Sequence, residues 1–407
     1  MQHQSSNQSV EGTPNAFGVA DLVSRDPVGK ETSKPAGGRE LGDMEAIRPM
    51  DAVVALYAEG NDELSEAIIA SLSRAVFGER HVSPAGPAQR AVSRISYRIL
   101  KRTTSRRKAN DEGYEGGAFR NPILERSRHP YGRALLDSSS REHESLVEGG
   151  DPMNGPYMMI CPEILKVSDV WDRLFLHSVQ GKDVQLRFIW ETRATYEAAR
   201  SRLEKGGRVR LKAVAAGTGL SMILAYDRLI KEGHDPDRIT ARITDRDKTN
   251  TDKTARLLAK LVSTRTRTIG AEAEGGISVG TEDLFEEGLG TTAGYQVVTA
   301  VGILDYLPGF TCGTTERCLG LQRPEEAVNA GHLAARLSKM VTDEAHLIVN
   351  TYRPHSSARI LELFGRKFNY RNSENLTALL ATADFGTPRL IGSGNMYDVL
   401  VYEKGPA

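Results

Sequence analysis

From Arg208 to the end of the chain, strand-like and helix-like stretches alternate, and this leaves few folds open. "VRLKAVAA", "ITARITD", "GISVGTEDLF", "YQVVTAVGILDYL" and "EAHLIVNTY" read as strands. Between them, "LSMILAYDRLIKEG", "TNTDKTARLLAKLVS" and "EEAVNAGHLAARLSKMV" carry apolar residues at helical spacing. "SARILELFG" and "SENLTALLATADF" are helical too. "PRLIGSG" and "MYDVLVYEKG" close the chain, joined by "SGN", which is short enough for an antiparallel hairpin. Such alternation forms a parallel sheet with helices on both faces. The expected fold is α/β: a Rossmann-like, doubly wound, mostly parallel sheet with a C-terminal antiparallel strand, over 206–407.

Two further parts precede the sheet. Residues 1–43 are rich in Ser, Gly, Pro, Asn and Gln, with Phe17 the one aromatic, so they bury too little apolar surface to order themselves. They are expected to be a disordered tail. Residues 44–205 read as a mostly helical N-terminal domain, expected to serve as lid and substrate domain, whose last helix stops at Gly206 and Gly207. Within it, "AQRAVSRISYRILKRTTSRRK" (88–108) holds eight basic residues and no acid. Arg90, Arg94, Arg98, Arg102 and Arg106 recur every fourth residue along one drifting helical face. One reading is a nucleic-acid contact stripe. The other, favoured because the whole chain balances 53 basic against 53 acidic residues, is a solvated face opposite a buried Val92, Ile95, Ile99 and Leu100.

Three scattered cysteines, Cys161, Cys312 and Cys318, are too few for a disulfide framework, which points to the cytoplasm. Cys312 and Cys318 lack the paired spacing of zinc ligands, so no metal is expected. No apolar run approaches the roughly 20 residues that span a bilayer. A small-molecule substrate is the expected partner, with neither membrane nor nucleic acid.

In a doubly wound sheet, ligands sit at the carboxyl ends of the strands. Gly217 and Gly219 let the backbone approach a ligand and turn into a helix N-terminus. Asp245 ends the second strand, where a carboxylate can take both ribose hydroxyls. Glu282 and Asp283 follow the third, where an adenine amino group would lie. No Gly-Lys-Ser/Thr follows the loop, so it is no P-loop, and Met222 occupies the third glycine position of a dinucleotide fingerprint. The ordered set favours a mononucleoside ligand without a pyrophosphate, as S-adenosylmethionine is.

Several stretches carry a family likeness: "HPYGRALLD" (129–137), "FIWETRATYEAARSRLEKGGRVRLKAVAAG", "VGILDYLP" (301–308), and "IVNTYRP" with "KFNYRNSENLTAL". On these the chain, over roughly 125–404, resembles class I S-adenosylmethionine-dependent methyltransferases. More narrowly, it resembles the group for bacterial 3-hydroxypalmitic acid methyl ester biosynthesis. Ser221 stands where that group carries an acid. The resemblance implies an S-adenosylmethionine-dependent transferase that methylates a small molecule, with a carboxylate or a specialised metabolite as acceptor. It implies cofactor contacts from Ala216, Gly217, Gly219, Ser221, Asp245, Arg246, Glu282, Asp283, Leu284 and Gly302. Arg193 is expected to reach the methionine carboxylate, or alternatively to pair with Glu191 or Glu197 at the surface.

Tyr306 and Tyr131 are expected to present aromatic faces to the sulfonium, and Asp305 or Tyr306 to contact the acceptor. Tyr370 and Arg371 are candidates to close over the substrate, and His355 is a candidate base. Two alternatives stay open. One is attack on the aminocarboxypropyl arm with release of methylthioadenosine, as in nicotianamine synthase-like and azetidine-2-carboxylate-forming enzymes. The other is a nucleic-acid-binding protein that uses the 88–108 helix.

Overall fold

The computed structural model describes residues 49–57, 62–78, 82–106, 119–123, 157–158, 160–161, 178–263, 276–285, 294–307, 330–363 and 369–405. All lie within one compact unit, Arg39–Ala407. Tyr131, Cys312, Cys318 and the 1–43 segment fall outside the described residues.

Helices α1 (Pro49–Tyr57), α2 (Asp62–Phe77), α3 (Pro87–Thr103) and α4 (Val179–Glu204) come first. Strand β1 (Val209–Ala213), α5 (Leu220–Lys231), β2 (Ile239–Asp245), α6 (Lys248–Ser263), β3 (Gly276–Thr281) and β4 (Tyr295–Ala300) follow. The chain closes with α7 (Ala330–Met340), β5 (Val341–Asn350), α8 (Ser356–Leu363), α9 (Ser373–Ala381), β6 (Arg389–Ser393) and β7 (Asp398–Glu403). The seven strands form one sheet in the order β3-β2-β1-β4-β5-β7-β6. Its first five strands run parallel, and β7 lies antiparallel between β5 and β6. This is the Rossmann-like, doubly wound, mostly parallel fold with a C-terminal antiparallel strand expected from the alternation.

Successive side chains along a strand point to opposite faces, so each central strand feeds two cores. Val297, Ile348, Val399 and Val401 face one cluster, with α4, α5 and α6. Val298, Leu347, Val349, Leu400 and Tyr402 face the other, with α7 and α9. Helices α1 and α2 share the first of these clusters through Leu56, Ile68, Ile69, Leu72 and Val76. Cations from the sheet's own helices fix their C-terminal ends. Lys260 of α6 donates to the Ala55 and Leu56 carbonyls (3.2 and 3.3 Å), and Arg193 of α4 to those of Val76 and Gly78 (2.6 and 3.1 Å). A helix's last carbonyls have no intrahelical partner and carry partial negative charge, so cations belong there.

The exposed face of α3 differs from expectation. Val92, Ile95 and Ile99 are exposed at 55%, 55% and 47%, and Ser93 is the buried residue of that helix. The stripe read as inward-facing is on the surface, because α3 meets α8 along its Ser93 side.

Helix α4 crosses the sheet where β6 narrows to Gly392, and a Cβ there would sit 2.1 Å from Cε2 of Trp190. Gly392→Val is therefore expected to lower the unfolding free energy by about 1–3 kcal/mol through overpacking, read from the urea midpoint by tryptophan fluorescence. An unchanged midpoint would mean that Trp190 does not rest on this strand.

Candidate active site

The parallel strands β1 to β5 all end at the same edge of the sheet, and the order reverses between β1 and β4. A doubly wound sheet opens its crevice at that switch point. At the end of β1, Val214 donates its N–H to the Thr299 carbonyl (2.9 Å), and the chain then enters a tight loop. Ala215, Gly217 and Gly219 have φ of 48°, 56° and 61°. Gly219 caps α5 in the left-handed region, and a Cβ there would lie 2.5 Å from Cγ2 of Ile243, so two constraints demand glycine. Ala215 has no such licence and bears a cost of about 1–2 kcal/mol. Strain of this kind clusters at ligand-contacting loops.

The loop is tied to β2. The Gly217 N–H donates to Asp245 Oδ2 (2.7 Å), the Asp247 N–H to Asp245 Oδ1 (2.9 Å), and Ala216 to the Thr244 carbonyl (3.0 Å). Burial pushes the Asp245 carboxyl above its ordinary range, against the backbone N–H groups that favour its charge. Arg246 beside it is exposed.

At the end of β3, Glu282 accepts from Lys212 Nζ on one oxygen (2.7 Å) and from Arg242 on the other (2.6 Å). Its carboxylate neutralises a lysine that the sheet buries to 2% exposure. Burial pushes the Glu282 carboxyl up, but Lys212 and Arg242 together hold it below the ordinary range. Glu282 was expected at the ligand; the structure engages both its oxygens in the sheet. Asp283 is half-buried and accepts the Phe285 N–H (2.9 Å), and Leu284 is buried, its carbonyl held by Arg336.

At the end of β4, Gly302 (φ 84°) donates its N–H to Asn350 Oδ1 of β5 (2.6 Å). Asn350 Nδ2 donates to the Thr351 carbonyl (2.9 Å) and lies 3.4 Å from both Asp305 oxygens. Asp305 is 4% exposed, and burial pushes its carboxyl up to about 6, against Arg187, Asn350 and Arg371. The buried Arg371 guanidinium holds the Leu304 and Leu307 carbonyls, so it pins this turn. The turn's Tyr306 is described in its backbone (Leu304–Tyr306), not in its side chain. Asn369 donates its backbone N–H to the Asp305 carbonyl (2.8 Å). Its side chain is 2% exposed, and neither amide atom has a hydrogen-bond partner among the described residues. Tyr370 stacks on Tyr352 with ring centroids 5.4 Å apart and bonds Glu362. His355 accepts the Ser357 N–H at the start of α8 (3.1 Å).

Helix α4 supplies charges that sequence reasoning missed. Arg193, expected at the ligand, holds the end of α2 instead. One and a half turns earlier, Arg187 is buried beside Gly302, where a Cβ would meet its guanidinium at 3.3 Å. The Arg187 guanidinium also lies 4.8 Å from the Tyr397 ring, and its Nε has no hydrogen-bond partner among the described residues. Glu191, one turn on, accepts from Ser221 Oγ at the first turn of α5 (2.7 Å). Burial pushes the Glu191 carboxyl up, while Ser221 and Arg187 favour its charge. The signal for this pair was the i, i+4 spacing in "RFIWE". Asn350 and Asn369 have no local signal. Among the described residues, no group of three His, Cys, Asp or Glu side chains could hold a metal, and no helix is long and apolar enough to cross a membrane.

No family model and no curated protein matches the chain. Among solved structures it is similar to the CurJ carbon methyltransferase, at 13% identity over 88% of this chain and 91% of that one, TM-score 0.42. It is similar to the citrinin polyketide synthase CMeT domain at 11% identity over 89% and 99%, TM-score 0.40. It is also similar to the magnesium protoporphyrin IX methyltransferase of Synechocystis PCC 6803 with bound SAH, at 13% identity over 55% and 87%, TM-score 0.35. Likeness at this level does not determine what this chain binds or does.

Two outcomes test the electrostatics. Glu282→Ala leaves the buried Lys212 without its counter-charge and is expected to cost about 3–5 kcal/mol of unfolding free energy. In the native chain this contribution is present above the unfolded glutamate's titration and fades as pH falls through the lower folded value. Chemical denaturation at neutral and acid pH reads both. Asp305 has the opposite sign, because the folded chain holds its proton more tightly. Its stabilising contribution is complete in acid and lost as pH rises through about 6. Relative to Asp305→Asn, the native chain is expected to lose about 2 kcal/mol between about pH 4 and 7. Parallel pH curves for the two proteins would refute the shifted titration.

Proposed function

We propose that the strand ends bind S-adenosylmethionine and that the chain transfers its methyl group to a small-molecule acceptor. The observation that carries this is the 2.7 Å bond from the Gly217 N–H to Asp245. It couples a glycine loop at the end of β1 to a carboxylate at the end of β2, beside the switch point of the sheet.

The donor set fits such a cofactor. Asp245 is placed to accept from ribose hydroxyls, and Asp283 with Leu284 to meet an adenine edge. The methionine arm is a zwitterion and needs one group of each sign. Arg187 and Glu191 supply these from adjacent turns of α4, and Ser221 orients the carboxylate. In this reading Glu191 does the work of the acid that the resembled group carries where this chain has Ser221. When bound, the cofactor supplies an electrophilic methyl group on a sulfonium. The chain's own task is to hold the acceptor in line, to exclude water, and to balance charge beside the sulfonium. Asp305 and the unpartnered Asn369 amide are the groups we assign to the acceptor side, with Tyr306 and Tyr131 as aromatic candidates. The 44–205 segment is taken to select the acceptor, which we place in the class of small carboxylates or specialised metabolites.

Incubation of the purified protein with S-adenosylmethionine tests the reading. Binding by titration calorimetry is expected, weakened about 10–100-fold in Asp245→Ala, the loss of charge-assisted hydrogen bonds worth roughly 1.5–3 kcal/mol. S-adenosylhomocysteine is the expected product once a carboxylate acceptor library is added. Methylthioadenosine formed without any acceptor would overturn methyl transfer in favour of attack on the aminocarboxypropyl arm. Unaltered binding in Asp245→Ala would remove the ribose assignment.

A further inference from the structure

Helix α3 presents three different faces. Its Ser93 side packs on α8, where Ser93 Oγ and Ser357 Oγ are 2.7 Å apart. A second face holds the exposed Val92, Ile95 and Ile99, within an arc of roughly 60° at 3.6 residues per turn. Arg94, Arg98, Lys101 and Arg102 fill the third, next to the aliphatic stripe, while Arg90 turns back to the Ala85 carbonyl (2.9 Å), and no acidic residue occurs in the helix. Asn121 donates to Thr103 and Thr104 Oγ1 (2.9 Å each), which ties the segment carrying the exposed Ile123 to the helix's C-terminal end.

Few partners satisfy both faces at once. Nucleic acid would neutralise the cations, but its phosphate backbone offers the aliphatic side chains nothing to bury against. A second copy would cover the aliphatic stripe, yet would set one row of guanidinium groups against another with no acid between them. An anionic lipid surface answers both needs. Aliphatic side chains enter the boundary of the acyl region while arginine and lysine sit among the headgroups. The helix is about 25 Å long at 1.5 Å per residue, enough for several headgroups, and its docking on α8 leaves Val92, Arg94, Ile95, Arg98, Ile99, Lys101 and Arg102 exposed among the described residues.

We propose that α3 is a peripheral docking face for an anionic membrane surface, lying in the plane of the headgroups. The proposal is independent of what the strand ends bind. The test is co-sedimentation of the full-length protein with vesicles of phosphatidylserine and phosphatidylcholine, and with vesicles of phosphatidylcholine alone. Binding to the anionic vesicles only is expected, weakened by added salt. Arg94→Gln with Arg98→Gln is expected to reduce partitioning about fivefold for each charge removed. Ile95→Ser with Ile99→Ser is expected to reduce it at least as much. Both pairs are exposed, so an unchanged thermal unfolding midpoint should accompany the loss. Absence of binding to anionic vesicles, or binding that neither pair weakens, overturns the proposal. So do duplex DNA binding that survives the isoleucine changes, which assigns the face to nucleic acid, and self-association abolished by them, which assigns it to a second copy.

Discussion

Helix α4 carries polar and charged side chains through the interior, and a buried polar group is costly unless it is paired. Each pairing therefore fixes a different part of the fold against this one helix. Asp183 accepts from Asn395 Nδ2 (3.1 Å) and the Met396 N–H, which holds the β6–β7 hairpin. Burial pushes its carboxyl up, and those bonds favour its charge. Arg193 closes the end of α2, and Tyr196 donates to Glu232 at the end of α5 (2.6 Å). Between these anchors, Arg187 and Glu191 project toward the strand ends. The helix orients the candidate site because its neighbours on both sides are immobilised by the same requirement.

The same sheet uses acidic residues in two ways, and burial alone does not separate them. Glu282 is enclosed by two cations and has both oxygens occupied, so it balances charge within the sheet. Asp245 is about as buried, but its partners are uncharged: backbone N–H groups of its own loop and of the glycine loop, and the Asn250 side chain. N–H groups favour the carboxylate without cancelling its charge. Among the described residues no cation pairs with it, which is the difference between Glu282, enclosed by two cations, and the carboxylate we assign to a ligand's hydroxyl groups.

Much of the fold was legible because its signals are local. Alternating apolar strands, a glycine turn after β1, Asp245 at the end of β2 and a short connection before β7 each lie within a few residues. The failures share one cause. Whether Arg193 or Arg187 faces the strand ends depends on how α4 is rotated against a sheet far away in sequence, and a helix with buried residues all round does not record that rotation. Val92, Ile95 and Ile99 have the spacing of a core stripe, but nothing local records that a serine-lined side of α3 meets α8 instead. Asn350 and Asn369 reach Asp305 from segments 45 and 64 residues further along the chain. Periodicity cannot report such meetings.

The loop after β1 is held against its own backbone preference. Ala215 holds a left-handed conformation that an alanine avoids, yet the loop is fixed at both ends. Val214 bonds to β4 and Ala216 to β2, so the residue between them has little freedom to relax. The strain is thus imposed by the bonds that tie the end of β1 to both neighbouring strands. Under the proposed function the carboxylate for the methionine arm comes from outside this loop, from Glu191 on α4, and its bond to Ser221 gives Ser221 a physical reason to stand at the first turn of α5.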